Sequence, residues 1–181
     1  MGLDMYLYRK TYVESYDNNK RYDISIKPNT EKGRNFDISK IAYITEEIAY
    51  WRKQNAIHKF FVDECGGGVD ECQPIYVDIS KLQELVDRCH KILDDKDNIS
   101  TKEEVFKDWN GENRIEVVKY LKDPTLASEL LPTQSGFFFG STDYDDWYLQ
   151  GLQDTIDAIE PILKDEKNQN FDTSFYYEAS W

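Results

Sequence analysis

The stretch Met1–Tyr8, MGLDMYLY, decides the architecture, because Leu3, Met5 and Leu7 alternate with Asp4, Tyr6 and Tyr8. Successive side chains of a strand point to opposite faces, so the pattern is that of a strand with one buried face. The far end of the chain repeats it, with Phe171, Thr173, Phe175, Tyr177 and Ala179 alternating against Asp172, Ser174, Tyr176, Glu178 and Ser180. Tyr22–Ile26 is expected to pair with the first strand, Ile75–Val77 after Pro74 forms a short one, and Phe137–Phe139 between Gly136 and Gly140 reads as another. Helices lie between them. Thr45 followed by Glu46 and Glu47 is an N-cap with an acidic first turn, predicting a helix to about Val62 whose stripe is Ile44, Ile48, Trp51, Asn55, His58 and Val62. Ser80 with Gln83 forms a capping box ahead of Leu82, Leu85, Val86, Cys89, Ile92 and Leu93. Asp143 caps a third helix, with Tyr148, Leu149, Leu152, Ile156, Ile159 and Leu163 inward and a bend at Pro161.

The charged segment from Asp94 to Lys107 has no firm periodicity, so residues 94–114 read as a surface insert carrying at most a short helix. Ile115, Val117 and Val118 fit a strand and a helical turn equally. Four or five strands separated by three helices, without regular β-α-β alternation, predict an α+β domain over residues 1–181. Its sheet is antiparallel or mixed and covered by helices on one face.

Composition limits the function. The 181 residues hold 35 acidic and 22 basic side chains, a net charge of −13, which argues against DNA, RNA and anionic membranes and favours a basic partner. Hydrophobic residues make up 40% and aromatic residues 14%, with thirteen tyrosines, so the chain is expected to fold. No apolar run approaches the roughly 18 residues of a membrane span, and the N-terminus lacks the regions of a signal peptide, so a cytoplasmic location is expected. Cys65, Cys72 and Cys89 are odd in number, as reduced thiols would be. The six-residue gap between Cys65 and Cys72 does not match a zinc knuckle, and Gly66–Gly68 matches no phosphate loop or dinucleotide fingerprint. Ser135-Gly136 lacks the rest of a nucleophile elbow, so neither a metal nor a cofactor is expected, and an enzyme is the less favoured reading.

The opening MGLDMYLY, YWRKQNAIHKFF at Tyr50–Phe61, LLPTQSGFFFGSTDYD at Leu130–Asp145 and the aromatic C-terminus resemble a family of small proteins carried by phages, prophages and other mobile elements. No common activity is attached to that family. The resemblance covers nearly the whole chain and implies a setting in the bacterial host cytoplasm, where small phage proteins commonly counter host defences.

Two binding readings follow. Tyr50, Arg52, Asn55 and His58 combine a stacking surface, a forked cation and hydrogen-bonding groups within about two helical turns. With Gln134, Ser135, Gly136, Gly140 and Ser141 opposite them, they would hold a nucleotide-like signal and sequester it. In the alternative, Asp143, Asp145, Asp146, Asp154 and Asp157 imitate nucleic-acid phosphates and block a basic groove of a host nuclease, as an anti-CRISPR protein would. A small phosphodiesterase or nuclease is the third class. The aromatic terminal strands are compatible with a homo-oligomer.

Overall fold

The computed structural model describes residues 2–13, 22–29 and 31–181, and the fold is α+β. β1 (Asp4–Tyr12) lies inside a four-stranded antiparallel sheet ordered β2-β1-β6-β3, with β2 at Tyr43–Arg52, β3 at Ile75–Val77 and β6 at Thr173–Ser180. The two terminal strands therefore pair with each other, Asp4 opposite Ser180 and Thr11 opposite Thr173. Both edges of β1 are taken by β2 and β6, which leaves no place for Tyr22–Ile26; that segment is not a strand, and Tyr22 and Ile26 are exposed.

The helix expected from Thr45 to Val62 is instead two elements. Tyr43–Arg52 is a strand, and α1 (Asn55–Phe60) follows it, continuing as a wider helical turn over Phe61–Cys65. Tyr43, Ile44, Thr45, Ile48, Tyr50 and Trp51 are β-branched or aromatic, and pairing with β1 decides in favour of the strand. Leu7 faces Ala49 while Tyr8 faces Glu47, so Ile48 is an extra, bulged residue that interrupts the alternation and makes the spacing look helical. Lys53, at φ 56°, turns the chain from strand into helix.

α2 (Ile79–Leu93) starts slightly earlier than the capping box suggests. Asp78 is its cap, accepting from the Ser80 amide at 2.8 Å. α4 (Asp146–Lys164) is capped by Asp145, not Asp143, through the Tyr148 amide at 3.1 Å, and it runs through Pro161. The 94–114 segment is no loop: β4 (Ile99–Lys107) and β5 (Asn113–Leu121) form a separate antiparallel hairpin, and α3 (Thr125–Leu130) follows it.

α1, α2 and α4 cover one face of the four-stranded sheet. Leu3, Met5, Leu7, Trp51, Ile57, Phe61, Leu82, Leu85, Leu152, Ile159, Phe175 and Tyr177 share one buried cluster. Each such aliphatic side chain contributes roughly 1.5–3 kcal/mol by leaving water. Two polar contacts set the angle of α4 on the sheet. Trp51 Nε1 donates to Thr155 Oγ1 at 2.9 Å, and Gln54 Nε2 donates to the Trp147 carbonyl at 3.0 Å, its side chain lying over Gly151.

Candidate functional site

The alternation that buries Met5 and Leu7 sends Asp4, Tyr6, Tyr8, Lys10 and Tyr12 to the opposite face of the sheet. The register brings Tyr50 beside Tyr6, Thr45 beside Lys10 and Tyr43 beside Tyr12 from β2, and Tyr176 beside Tyr8 from β6. Tyr76 of β3 completes the row next to Tyr176. Seven tyrosines thus share this face: Tyr6, Tyr8, Tyr12, Tyr43, Tyr50, Tyr76 and Tyr176. Among the described residues no helix covers it.

The rings touch one another. Tyr6 lies 5.2 Å from Tyr50 and 5.9 Å from Tyr8, Tyr12 lies 5.1 Å from Tyr43, and Tyr76 lies 5.9 Å from Tyr176. The Lys10 ammonium sits among them, 4.3 Å from the Tyr43 ring centre and 5.9 Å from that of Tyr176. Tyr8, Lys10, Thr45, Pro74, Tyr176 and Glu178 surround an open depression of about 470 Å³. At the upper end Tyr50 Oη donates to Asp4 Oδ1 at 2.5 Å, and Arg52 is 3.7 Å from the same carboxylate. The Tyr50 hydroxyl is held above its ordinary pKa by that hydrogen bond, and Tyr8 by partial burial and by Glu178 and Glu47. Both therefore stay protonated donors at neutral pH.

The structure separates the residues of the expected nucleotide pocket. Tyr50 and Arg52 belong to the open face, whereas Asn55 and His58 are in the interior, 3% and 0% exposed. Asn55 does meet the Gln134–Ser141 segment. Its Nδ2 donates to the carbonyls of Phe139 at 3.1 Å and Ser141 at 2.7 Å, and its Oδ1 accepts from the Gln134 amide at 3.0 Å. These bonds consume the amide, which makes Asn55 a clamp on the loop. His58 is spent likewise: Nε2 lies 3.0 Å from Asp70 Oδ2 and Nδ1 lies 2.7 Å from Tyr177 Oη. With the carboxylate accepting from Nε2–H, Nδ1 accepts from the phenol. The space beside Asn55, bounded by Thr133, Ser141 and Tyr148, measures about 10 Å³. That is room for about one water.

Phe137–Phe139 is a turn, not a strand, closed by the Phe139 amide on the Gly136 carbonyl at 3.2 Å. The Phe139 ring folds back over Gly136, where a Cβ would come within 2.6 Å of it, and packs into the core edge-on to His58; Phe137 points outward, 95% exposed. Gly140 takes φ 87° against Lys53, a conformation suited to glycine. Ser135 and Ser141 are exposed.

The acidic residues lie at the start of α4 and along its solvent face. Asp145 caps α4, Asp146 accepts from the Lys119 amide at 3.2 Å, and Asp143 lies exposed beside them. Asp154 and Asp157 occupy the solvent face of α4, accepting from Gln150 and Gln153 one turn earlier. Burial pushes the Cys65 thiol up to about 11 and the Cys89 thiol well above its ordinary range, while Cys72 is exposed. No group of three or more histidine, cysteine or acidic side chains gathers at metal distance among the described residues. Nor is any described helix long and apolar enough to cross a membrane.

Fold and face define a class, an α+β protein whose antiparallel sheet has helices on one side and tyrosines on the other. Comparison with protein-family models, with curated protein sequences and with solved structures gives no match.

Proposed function

We propose that the chain is a protein-binding module that works through its tyrosine face, and that the partner presents a basic surface. The observation that carries this is the row of seven tyrosines that no described helix covers, three of them exposed and four half-buried, with Lys10 set between two of their rings. Tyrosine offers large, stiff, amphipathic contact area at low entropic cost, and it is enriched at protein interfaces. Its ring faces attract guanidinium and ammonium groups, as Lys10 already demonstrates within the chain. A net charge of −13 speeds encounter with a basic partner. In the counter-defence setting implied by the motifs, neutralisation would proceed by covering a basic surface of a host defence protein.

Sequestration of a nucleotide-like molecule is the second reading, and the same rings with Lys10 are what favour it, since bases stack on tyrosine. The open form of the depression weighs against it, because small-ligand sites enclose most of their ligand.

Capture from a bacterial lysate, followed by reconstitution with the purified captured protein, tests the proposal. A basic protein is retained, Tyr6→Ser/Tyr176→Ser weakens it by about thirtyfold or more, and Asp154→Lys/Asp157→Lys leaves its dissociation rate unchanged. Calorimetric binding of a mono- or dinucleotide that the tyrosine variant abolishes would replace the proposal by sequestration. Loss of the captured protein on reversing Asp154 and Asp157 alone would contradict it.

A further inference from the structure

The four-stranded sheet protects its edges from strand addition. β2 is bulged at Ile48, and β3 is three residues long behind Pro74. On β4 there is no bulge, proline or shortening, and its edge is marked by charge alone, Lys102, Glu103, Glu104 and Lys107. Its register runs unbroken from Ile99 opposite Leu121 to Lys107 opposite Asn113. The outer edge of β5 is engaged near its end, where Tyr120 bridges Asp145 and the Leu121 amide donates to the Tyr144 carbonyl at 3.1 Å. The outer edge of β4 is nine residues long, holds neither proline nor glycine, and pairs with no other described strand. The Asp108 amide donates to Glu112 and the Asn98 carbonyl accepts from Lys122. Even-numbered residues therefore aim their backbone groups at β5, and Thr101, Glu103 and Val105 aim theirs outward. A two-stranded hairpin is marginal in water by itself, and this one leaves Val105, Ile115 and Val117 more than 60% exposed on one side.

We propose that β4 pairs with β4 of a second copy, antiparallel and centred on Glu103, so that two chains form a two-fold dimer with a continuous sheet β5-β4-β4-β5. The argument for a second copy is charge complementarity. About Glu103, Lys102 of each chain lies opposite Glu104 of the other, twice, and Thr101 lies opposite Val105. Centring on Lys102 would oppose two lysines, and centring on Glu104 two glutamates, each without a compensating ion pair, whereas centring on Val105 would oppose Glu103 to Lys107 and leave Lys102 and Glu104 without each other, so that reversing either would not matter. Lys102 and Glu104 already share one side of β4, where they pair at 2.5 Å and stay about half exposed. The Glu103 side chains meet on the other side, the one unfavourable contact in this register.

Sedimentation velocity of the full chain over a concentration series tests the pairing. The wild-type chain shows a reversible dimer. Lys102→Glu and Glu104→Lys each weaken it by about tenfold or more, since both reciprocal pairs become repulsive. An equimolar mixture of these two variants dimerises again, because every charge at positions 102 and 104 then faces its opposite, and Glu103→Gln tightens the dimer. A chain that stays monomeric at every concentration, a dimer indifferent to either single reversal, or a mixture that fails to recover would overturn the proposal.

Discussion

Replacing Asn55 by alanine distinguishes a scaffold residue from a ligand-binding one. Asn55 makes three hydrogen bonds, to the Phe139 and Ser141 carbonyls and from the Gln134 amide, and it is 3% exposed. A hydrogen bond contributes about 1 kcal/mol net, and a buried backbone group left without a partner costs about 1–3 kcal/mol. Ser141 is exposed and water replaces its bond, whereas the Phe139 carbonyl is buried with its side chain against His58. The expected loss is therefore about 2–4 kcal/mol. For a chain of this size that is a fall of roughly 5–15 °C in Tm. Urea denaturation measures the loss, and hydrogen exchange locates it at residues 134–141. A ligand-binding asparagine would behave otherwise, since its removal is commonly neutral or stabilising. An Asn55→Ala chain within about 0.5 kcal/mol of wild type, with the loop still protected from exchange, would refute the clamp.

Gly151→Ala puts a Cβ 2.0 Å from Gln54 Oε1, displacing that side chain from the Trp147 carbonyl, and costs about 1–2 kcal/mol by thermal unfolding; in a Gln54→Ala background it becomes stabilising by up to about 1 kcal/mol, as alanine usually is in a helix. Glu64 and Glu84 are held below the ordinary carboxylate pKa, first by Lys81 and then by Arg88. Their folded pKa is depressed, so their contribution is full above the ordinary carboxylate value and is lost as pH falls through the folded one. Both are about one-third exposed, which limits each to about 1 kcal/mol or less, and Lys81→Met flattens the acid limb of a urea-stability profile between pH 7 and about 3. Tyr6→Ser removes half-buried ring contacts with Tyr8 and Tyr50 on the open face and costs about 1 kcal/mol by urea unfolding, so its effect on partner binding is read on a folded chain.

The strands with one clean buried face were legible in the sequence. β1, β3 and β6 show it as alternation, and α2 and α4 as stripes behind acidic or hydroxylic caps. β2 was not, because the bulge at Ile48 breaks the period of two and the positive-φ turn at Lys53 splices a short helix onto the strand. The resulting spacing of four, three and four satisfies a helical template; only the partner strand, nearly forty residues away, decides against it. The β4–β5 hairpin was only partly visible, with Ile115, Val117 and Val118 fitting a strand and a helical turn equally, and for a different reason. Neither of its faces is buried, so charged and apolar residues alternate to no rule. Asn55 and His58 stood out as polar groups among apolar ones, and they do have buried partners; what local spacing could not say was that protein atoms would fill every bond. The tyrosine face had a signal, tyrosines on the polar side of both terminal strands, but its extent appears only once the strand order brings Tyr43, Tyr50 and Tyr76 alongside.

Hydroxyl-radical footprinting with mass spectrometry, on the chain alone and with its captured partner, measures the claim about this face most directly. The prediction is a loss of reactivity at Tyr6, Tyr8, Tyr43, Tyr50, Tyr76 and Tyr176 on binding, with Trp109 at the hairpin tip and Phe137 unchanged at 93% and 95% exposure in the free chain. Undiminished reactivity of the tyrosines, with protection appearing instead along α4 around Asp154 and Asp157, would contradict it.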